Sequence, residues 1–188
     1  MKDSRLSAIV LAGGRGRRMG GQDKGLIPFN NRPMVTWLTD TLNQLTDDIT
    51  ISANRHVDDY ARLGYPVVAD TTRYGEYAGP LSGIVSCVSQ VRGSIVVVAP
   101  CDMPGITEEA VTTLVEALGE NGVACYSDGE RQQSLFFVAK TNLLATIDDY
   151  LGEGGRSVRG WLESQGAMVR SARNPEWFRN INLPSDLG

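Results

Sequence analysis

A strand that runs into a glycine-dense, cation-rich loop sets narrow limits on how this chain can fold. Residues 8–11, Ala-Ile-Val-Leu, are apolar and are soon followed by glycine, which predicts a short buried strand. Five glycines between residues 13 and 21 allow positive φ angles and let a ligand approach the backbone amides closely. The loop holds one acid, Asp23, and four interleaved cations: Arg15, Arg17, Arg18 and Lys24. It therefore predicts a binding site for a polyanion, most economically a triphosphate.

Two familiar phosphate-binding loops do not match this spacing. A P-loop requires Gly-x4-Gly-Lys-Ser/Thr, whereas Lys24 here follows Asp23 and precedes Gly25. The dinucleotide fingerprint requires glycine at the position of Met19. The remaining alternative is an ordinary basic surface loop. We disfavour it because such loops rarely interleave this many cations with glycine directly after a buried strand.

Three short motifs in the loop resemble the signature of nucleotidyltransferases, which join a nucleoside monophosphate to a phosphorylated acceptor and release pyrophosphate. The motifs are Leu11-Ala12-Gly13-Gly14, Arg17-Arg18-Met19-Gly20 and Asp23-Lys24-Gly25-Leu26. Within that superfamily they are most similar to the molybdenum cofactor guanylyltransferase family. The resemblance implies GTP and molybdenum-bearing molybdopterin as substrates and Mg²⁺ as cofactor. It also implies enzymes of molybdenum-cofactor biosynthesis, and enzymes that receive the product, as partners.

Length and composition favour one globular domain, residues 1–188. The hydrophobic fraction of 41% and charged fraction of 21% are near globular averages, and the net charge of −4 argues against a nucleic-acid binder. No apolar run approaches the roughly 18 residues of a membrane span, so we expect a cytoplasmic protein with no membrane contact. The cysteines are odd in number and lie in apolar contexts, which predicts reduced core thiols: Cys87, Cys101 and Cys125.

Apolar runs that alternate with helical periodicity predict an α/β protein with a mixed sheet. Strands are predicted at residues 8–11, 49–53, 65–69, 94–99, 123–127, 134–139, 168–169 and 178–184. Thr107, Asn142 and Ser157 are predicted to cap helices. With the resemblance, this implies a three-layer α/β/α Rossmann-like nucleotidyltransferase fold with a mostly parallel sheet. Its first part, about residues 1–105, would bind GTP, and its second part, about residues 106–188, would bind the acceptor.

Polar residues after the predicted strands face the ligand crevice in an open α/β sheet. Ser52 and Asn54 follow the second strand and Asp70 follows the third, which makes them candidates for contact with a base or ribose. The alternatives are a hydrogen-bonded turn for Ser52 and Asn54 and a helix cap for Asp70. His56 is the sole histidine, and its position beside arginine favours a surface residue over a general base.

Asp102 is the predicted metal ligand. It follows the most apolar run of the chain, the expected central strand, and lies between Pro100 and Pro104. Mg²⁺ is usually held by one or two carboxylates with phosphate oxygens and water, so a single aspartate beside a bound triphosphate suffices. A turn cap is the alternative. We expect Asp102 and the loop cations to converge in space around a nucleotide's phosphates.

The resemblance also marks an acceptor side, formed by Gly79, Pro80, Leu81, Arg156, Asn180 and Asn182. Arg156 lies in a second glycine-arginine stretch before Ser157, which predicts an anion site or a simple exposed turn. The chain departs from the family pattern at Ser134, where proline is common, at Leu183, and in its short C-terminus.

The predicted reaction is Mg²⁺-dependent attack of the acceptor phosphate on the α-phosphorus of GTP. In this scheme Lys24, Arg18 and Asp102 are catalytic, and the nucleotide is bound by Leu11, Ala12, Gly13, Gly14, Lys24, Ser52, Asn54, Asp70 and Asp102. No Ser-His or Cys-His arrangement is required, because a phosphate is already a nucleophile. The alternatives are a cytidylyltransferase, a sugar-phosphate nucleotidyltransferase, or a protein that binds GTP or molybdopterin without turnover.

Overall fold

A computed structural model describes residues 2–13, 22–75 and 79–181. The strands are β1 (Leu6–Leu11), β2 (Pro28–Phe29), β3 (Arg32–Pro33), β4 (Ile49–Ser52), β5 (Val67–Val68), β6 (Ile95–Pro100), β7 (Val123–Ser127), β8 (Gln132–Lys140) and β9 (Met168–Ser171). The helices are α1 (Met34–Leu45), α2 (Val57–Ala61), α3 (Pro80–Cys87), α4 (Glu108–Glu116), α5 (Thr146–Gly152) and α6 (Val158–Ser164). No helix in these ranges is long and apolar enough to cross a membrane.

Seven strands form one mixed sheet in the order β5-β4-β1-β6-β8-β7-β9. β6 lies in the middle of it, as the sequence predicted for the most apolar run. β8 pairs antiparallel with both β6 and β7, and every other pairing in the sheet is parallel. The carboxyl ends of β1, β4, β5 and β6 therefore share one edge of the sheet, where ligands bind in open α/β folds.

Helices cover both faces of the sheet, which confirms the three-layer α/β/α prediction. Alternate residues of β1 enter different cores: Ala8 and Val10 pack with α1 and α4, while Ile9 and Leu11 pack with α3, α5 and α6. This alternation follows from the period of two along a strand. Both faces are apolar because both are covered, as is typical of a parallel sheet.

Two predicted caps are confirmed, and one is wrong. The side chain of Thr107 accepts a hydrogen bond from the Ala110 amide at the start of α4, and Ser157 accepts one from Gly160 at the start of α6. Asn142 does not begin an α-helix. It lies inside a 3-10 turn over Thr141–Ala145, and α5 begins only at Thr146.

The predicted strands at residues 65–69 and 178–184 also differ from the structure. β5 is shortened to two residues; Pro66, which precedes it, has no amide hydrogen to donate to a ladder. Pro175–Phe178 forms a 3-10 turn in place of the start of a closing strand, and no strand follows as far as residue 181. Asn174 stabilises this turn by accepting a hydrogen bond from the Glu176 amide at 3.0 Å.

A small hairpin, β2–β3, was not predicted from the sequence. Its two turn residues, Asn30 and Asn31, have φ angles of 48° and 63°, the left-handed region that a tight hairpin turn requires. Asparagine tolerates that region better than most residues do. The pair Asn30-Asn31 is the sequence feature that could have predicted this turn.

Candidate active site

The ends of β1 and β6 lie side by side at one edge of the sheet. Their register pairs Leu11 with Pro100, and the Cys101 amide donates to the Leu11 carbonyl at 3.0 Å. Because these strands are parallel, the loop that starts at Ala12 and the turn that contains Asp102 leave the sheet at the same edge. The described start of the predicted phosphate loop and the predicted metal ligand therefore lie at the same edge of the sheet.

Lys24 and Asp102 form an ion pair at this edge. Lys24 Nζ lies 3.0 Å from Asp102 Oδ2, although the residues are 78 positions apart in sequence. Their side chains are 24% and 20% exposed, so the pair is partly shielded yet still reaches solvent. A cation and a carboxylate in such a place can act on a bound phosphate and its counter-ion more strongly than exposed groups can.

The donor set around Asp102 fits Mg²⁺ held together with a phosphate ligand. Among residues 2–13, 22–75 and 79–181, no three His, Cys, Asp or Glu side chains cluster as a ready metal cage. A single carboxylate at a solvent-reaching edge matches the way proteins hold Mg²⁺ when substrate phosphates and water supply the remaining oxygens. Asp102 is therefore the described residue best placed to hold such an ion.

Ser52, Asn54 and Asp70 meet at the ends of β4 and β5. Asp70 Oδ1 accepts a hydrogen bond from Ser52 Oγ at 3.2 Å, and Asn54 Oδ1 accepts one from the Asp70 amide at 2.7 Å. The Ser52 carbonyl accepts from the Ala12 amide at 2.9 Å, which joins this cluster to the phosphate loop. A Cβ on Gly13 would lie 3.5 Å from Asn54 Nδ2, so this glycine borders the same cluster. These five candidates are thus contiguous.

Two residues of α3 complete this cluster and were missed from the sequence. Ser82 Oγ donates to the Gly79 carbonyl at 2.8 Å and lies 3.3 Å from Asp70 Oδ2, so it borders the carboxylate that the Ser52 hydroxyl orients. A Cβ on Gly83 would lie 2.4 Å from Ser52 Oγ and 2.9 Å from Asp70 Oδ1, so only glycine permits this approach. The sequence feature that could have indicated this cluster is Gly83 itself, because glycine inside a helix is otherwise unfavourable.

Part of the predicted acceptor side lies at the start of α3. Gly79 has φ +94°, and a Cβ there would lie 3.8 Å from the Arg156 carbonyl oxygen, so the two predicted stretches are neighbours. Arg156 is exposed, and its Nη1 donates to the carbonyls of Leu151 at 2.8 Å and Gly155 at 2.6 Å. Its guanidinium is therefore oriented by its own loop.

Pro80 and Leu81 have different environments. Pro80 is exposed as the first residue of α3, whereas the Leu81 side chain is fully buried in the core. Leu11 is also largely buried, with its carbonyl in the sheet. The side chains of Leu81 and Leu11 therefore pack in the core, which does not support the predicted ligand contact for either side chain.

Asn180 lies beside the Asp102 turn. The amide of the next residue, Ile181, donates to the Asp102 carbonyl at 3.0 Å, and Asn180 itself is half-buried. A Cβ on Gly105 would lie 2.7 Å from the Glu176 carbonyl, so the C-terminal segment packs closely along the turn after β6. The predicted acceptor residue and the predicted metal ligand are thus adjacent.

Several sequence predictions fall on residues outside the described ranges. They are Gly14, Arg15, Arg17, Arg18, Asn182 and Leu183. Ser134, the departure from the family pattern, lies where the register of β7 with β8 shifts: Cys125 pairs with Phe137 but Tyr126 pairs with Gln133. Leu135, in the same irregular stretch, is an exposed hydrophobic residue.

The thiols and the histidine have the properties expected from the sequence. Cys87, Cys101 and Cys125 are all free and buried. Burial raises the pKa of Cys87 to about 12 and that of Cys125 to about 11, and it also raises the pKa of Cys101, with further contributions from the carboxylates of Asp102 and Asp23. These thiols therefore stay protonated near neutral pH. His56 is on the surface and lies 3.3 Å from Asp59.

Gly25, next to Lys24, is expected to tolerate no side chain. A Cβ there would lie 2.3 Å from Tyr60 Oη and 3.1 Å from two ring carbons of the same buried tyrosine. Gly25→Ala should lower the free energy of unfolding by about 1–3 kcal/mol through overpacking, as measured by urea denaturation. Gly152→Ala is the matched control: nothing lies within 4 Å of its Cβ position. Equal stability of Gly25→Ala and wild type would contradict the packing described.

The amino-acid sequence of the chain is similar to those of known proteins. A family model described as a MobA-like NTP transferase domain matches residues 8–169. A protein of Shewanella frigidimarina named molybdenum cofactor guanylyltransferase is 36% identical over 182 residues, covering 95% of this chain and 92% of its own length. One of the same name from Pasteurella multocida is 35% identical over 185 residues, covering 97% of each chain.

A solved structure has the same fold. It is the molybdopterin-guanine dinucleotide biosynthesis protein A from Archaeoglobus fulgidus, with a TM-score of 0.77 and 19% identity. The match covers 96% of this chain and 94% of that one.

Proposed function

The chain belongs to the family of MobA-like NTP transferases, and on this premise we propose that it transfers GMP from GTP to the phosphate of molybdenum-bearing molybdopterin and releases pyrophosphate. The single observation that carries the proposal is the Lys24–Asp102 contact where the ends of β1 and β6 meet. The relatives named as molybdenum cofactor guanylyltransferases support the choice of nucleotide and acceptor.

In the proposed reaction, an oxygen of the acceptor phosphate forms a bond to the α-phosphorus while the bond from that phosphorus to the pyrophosphate oxygen breaks. The protein supplies position and charge, because an ionised phosphate needs no deprotonation by a base. Lys24 Nζ stabilises the negative charge that grows on the α-phosphoryl and leaving groups. The amides that follow β1, from Ala12 onward, hold the triphosphate; Gly14 and Arg18 belong to the same assignment by their sequence motif.

We assign Asp102 as the Mg²⁺ ligand of this reaction. When bound, Mg²⁺ neutralises charge on the triphosphate oxygens. The carboxylate of Asp102 is oriented for that role by Lys24 on one oxygen and by its place in the turn directly after the central strand.

Asp70 is proposed to read the base or ribose of the nucleotide. Its carboxylate is oriented by the hydroxyl of Ser52 and can accept hydrogen bonds from a ligand's N–H or O–H groups. Ser52 and Asn54 define the same pocket. The closeness of these residues to Gly13, at the start of the predicted phosphate loop, supports this assignment.

Asp70→Asn is expected to raise the KM for GTP about 10- to 100-fold, the worth of one or two hydrogen bonds to a charged group. Steady-state pyrophosphate release at varied GTP measures this change. Asp40→Asn, which alters an exposed aspartate paired with Arg32, is the control. An unchanged KM for Asp70→Asn would remove Asp70 from the nucleotide site.

The acceptor is proposed to bind across Gly79, Pro80, Leu81, Arg156, Asn180 and Asn182. Two observations support this: the Gly79 turn abuts the Arg156 loop, and the segment of Asn180 bonds to the Asp102 turn. The first part of the chain would then hold the nucleotide, and the acceptor would lie between the start of α3 in the first part and the Arg156 and Asn180 segments of the second.

The deciding experiment measures pyrophosphate release from GTP, ATP, CTP and UTP, each with purified molybdopterin and Mg²⁺ and in parallel with sugar phosphates. We expect release from GTP with molybdopterin. Release from CTP with molybdopterin, or from any nucleotide with a sugar phosphate, would assign the chain to another nucleotidyltransferase. GTP binding without release under every condition would show a binding protein without turnover.

A further inference from the structure

We propose that Tyr60 is a positioning residue for the reaction: its buried hydroxyl holds Asp23, and Asp23 holds the turn that aims Lys24 at Asp102. The inference rests on the catalytic role proposed above for Lys24. Tyr60 itself lies in α2, outside the motifs singled out in the sequence.

The contact that carries the proposal joins two buried side chains. Tyr60 is fully buried, and its Oη donates a hydrogen bond to Asp23 Oδ1. Asp23 is only 7% exposed, and it directly precedes Lys24. A buried carboxylate requires hydrogen-bond donors, because without them its desolvation is costly. The tyrosine hydroxyl is such a donor, placed one residue from the ammonium group that the reaction uses.

The backbone at Lys24 is fixed to this pair. Asp23 is the N-cap of the 3-10 turn Lys24–Leu26, and its carbonyl accepts from the Leu26 amide at 3.1 Å. Gly25 lies directly against the tyrosine ring, with a Cβ position only 2.3 Å from Oη. Tyr60 therefore contacts this turn at two points: it forms a hydrogen bond with Asp23 and packs closely against Gly25.

The same tyrosine lies close to the strand end that carries Asp102. Burial is the main cause of a raised pKa for Tyr60, and the hydrogen bond to the Asp23 carboxylate raises that pKa further. The hydroxyl therefore remains protonated and always available as a donor. Tyr60 and Cys101, the residue directly before Asp102, belong to the same buried core.

A matched pair of tyrosine variants tests the proposal. Tyr126 is buried in the same core as Tyr60, and its hydroxyl donates to the Ala110 carbonyl at 3.0 Å, so Tyr126→Phe also removes one buried hydrogen bond. We expect both variants to lose thermal stability, and Tyr60→Phe to lose more, because it takes a donor from a buried carboxylate and not from a neutral carbonyl. We expect Tyr60→Phe alone to lower kcat for pyrophosphate release, by about 10²-fold, as for a displacement of about 1 Å at a catalytic group.

A double-variant comparison separates positioning from general damage. If Tyr60 acts through Lys24, then adding Tyr60→Phe to Lys24→Ala should cause little further loss of kcat, because the group being positioned is already gone. If Tyr60→Phe instead damaged another part of the site, the loss of kcat in the double variant would be the product of the two single losses.

A direct measurement of Lys24 needs no turnover. The chain has three lysines, Lys2, Lys24 and Lys140, so labelling lysine Cε with ¹³C gives three resonances that single substitutions assign. Asp102→Asn provides the reference shift for a broken ion pair. We expect Tyr60→Phe to move the Lys24 resonance in the same direction and Tyr126→Phe to leave it in place.

The positioning role is overturned if either kcat or the Lys24 resonance is the same in Tyr60→Phe as in Tyr126→Phe. If the wild type is active and Tyr60→Phe behaves like Tyr126→Phe, only this inference is refuted and the proposed reaction stands. A wild type that releases no pyrophosphate refutes the proposed reaction and, with it, any contribution of Tyr60 to catalysis.

Discussion

Replacing Lys24 with alanine is expected to lower kcat for pyrophosphate release about 10²–10³-fold, the usual effect of removing one preorganised group that stabilises transition-state charge. Lys24 is held 3.0 Å from Asp102 at a partly shielded edge, where its charge acts more strongly than in bulk water. Single-turnover kinetics with GTP, molybdopterin and Mg²⁺ at saturation measure the chemical step directly. A small change in KM with a large fall in kcat would indicate that the interaction develops mainly in the transition state.

Lys2→Ala is the control for this prediction. Lys2 is an exposed lysine that pairs with Asp47, away from the candidate site. Its removal deletes the same charge and should leave kcat near that of wild type. The assignment of Lys24 fails if both alanine variants retain wild-type rates.

Asp102→Asn is expected to cause a loss of about 10²–10³-fold as well, measured at saturating Mg²⁺. The amide has the same size as the carboxylate but carries no charge, so it is a weaker ligand for a hard cation and removes the negative charge that faces Lys24. The Mg²⁺ concentration needed for half-maximal rate should rise together with the loss of kcat. Initial rates over a Mg²⁺ series give both quantities.

The exposed residue Asp47 supplies the matched variant, Asp47→Asn, which should leave the Mg²⁺ dependence unaltered. Wild-type kcat and an unshifted Mg²⁺ curve for Asp102→Asn would exclude Asp102 as the metal ligand. Because Lys24 and Asp102 touch, their double variant should lose less than the product of the two single losses.

The convergence of Lys24 and Asp102 could be predicted because its signals are local. The spacing of glycine and cations before Lys24, and the position of Asp102 directly after the most apolar run, are both visible in short stretches. The central place of β6 in the sheet follows from the same apolar run, since the central strand of a parallel sheet is apolar on both faces. These are the parts of the fold that the sequence predicted correctly.

The supporting residues could not be predicted because their roles depend on contacts between distant segments. Ser82 lies on a helix and Tyr60 on another, and nothing in either stretch shows that one hydroxyl meets Asp70 and the other meets Asp23. The C-terminal segment was predicted as a strand from its extended pattern. Trp177 and Phe178 instead bury their rings against Tyr126, and the chain that follows bonds to the Asp102 turn.

The separation of Lys24 and Asp102 by 78 positions has a consequence for synthesis of the protein. A chain leaving the ribosome presents its glycine-rich loop early, but β6 must be complete and paired beside β1 before the loop meets its carboxylate. Such long-range pairing forms late compared with local helices. A nascent chain therefore lacks the Lys24–Asp102 pair, on which the proposed reaction depends, until the middle of the sheet closes.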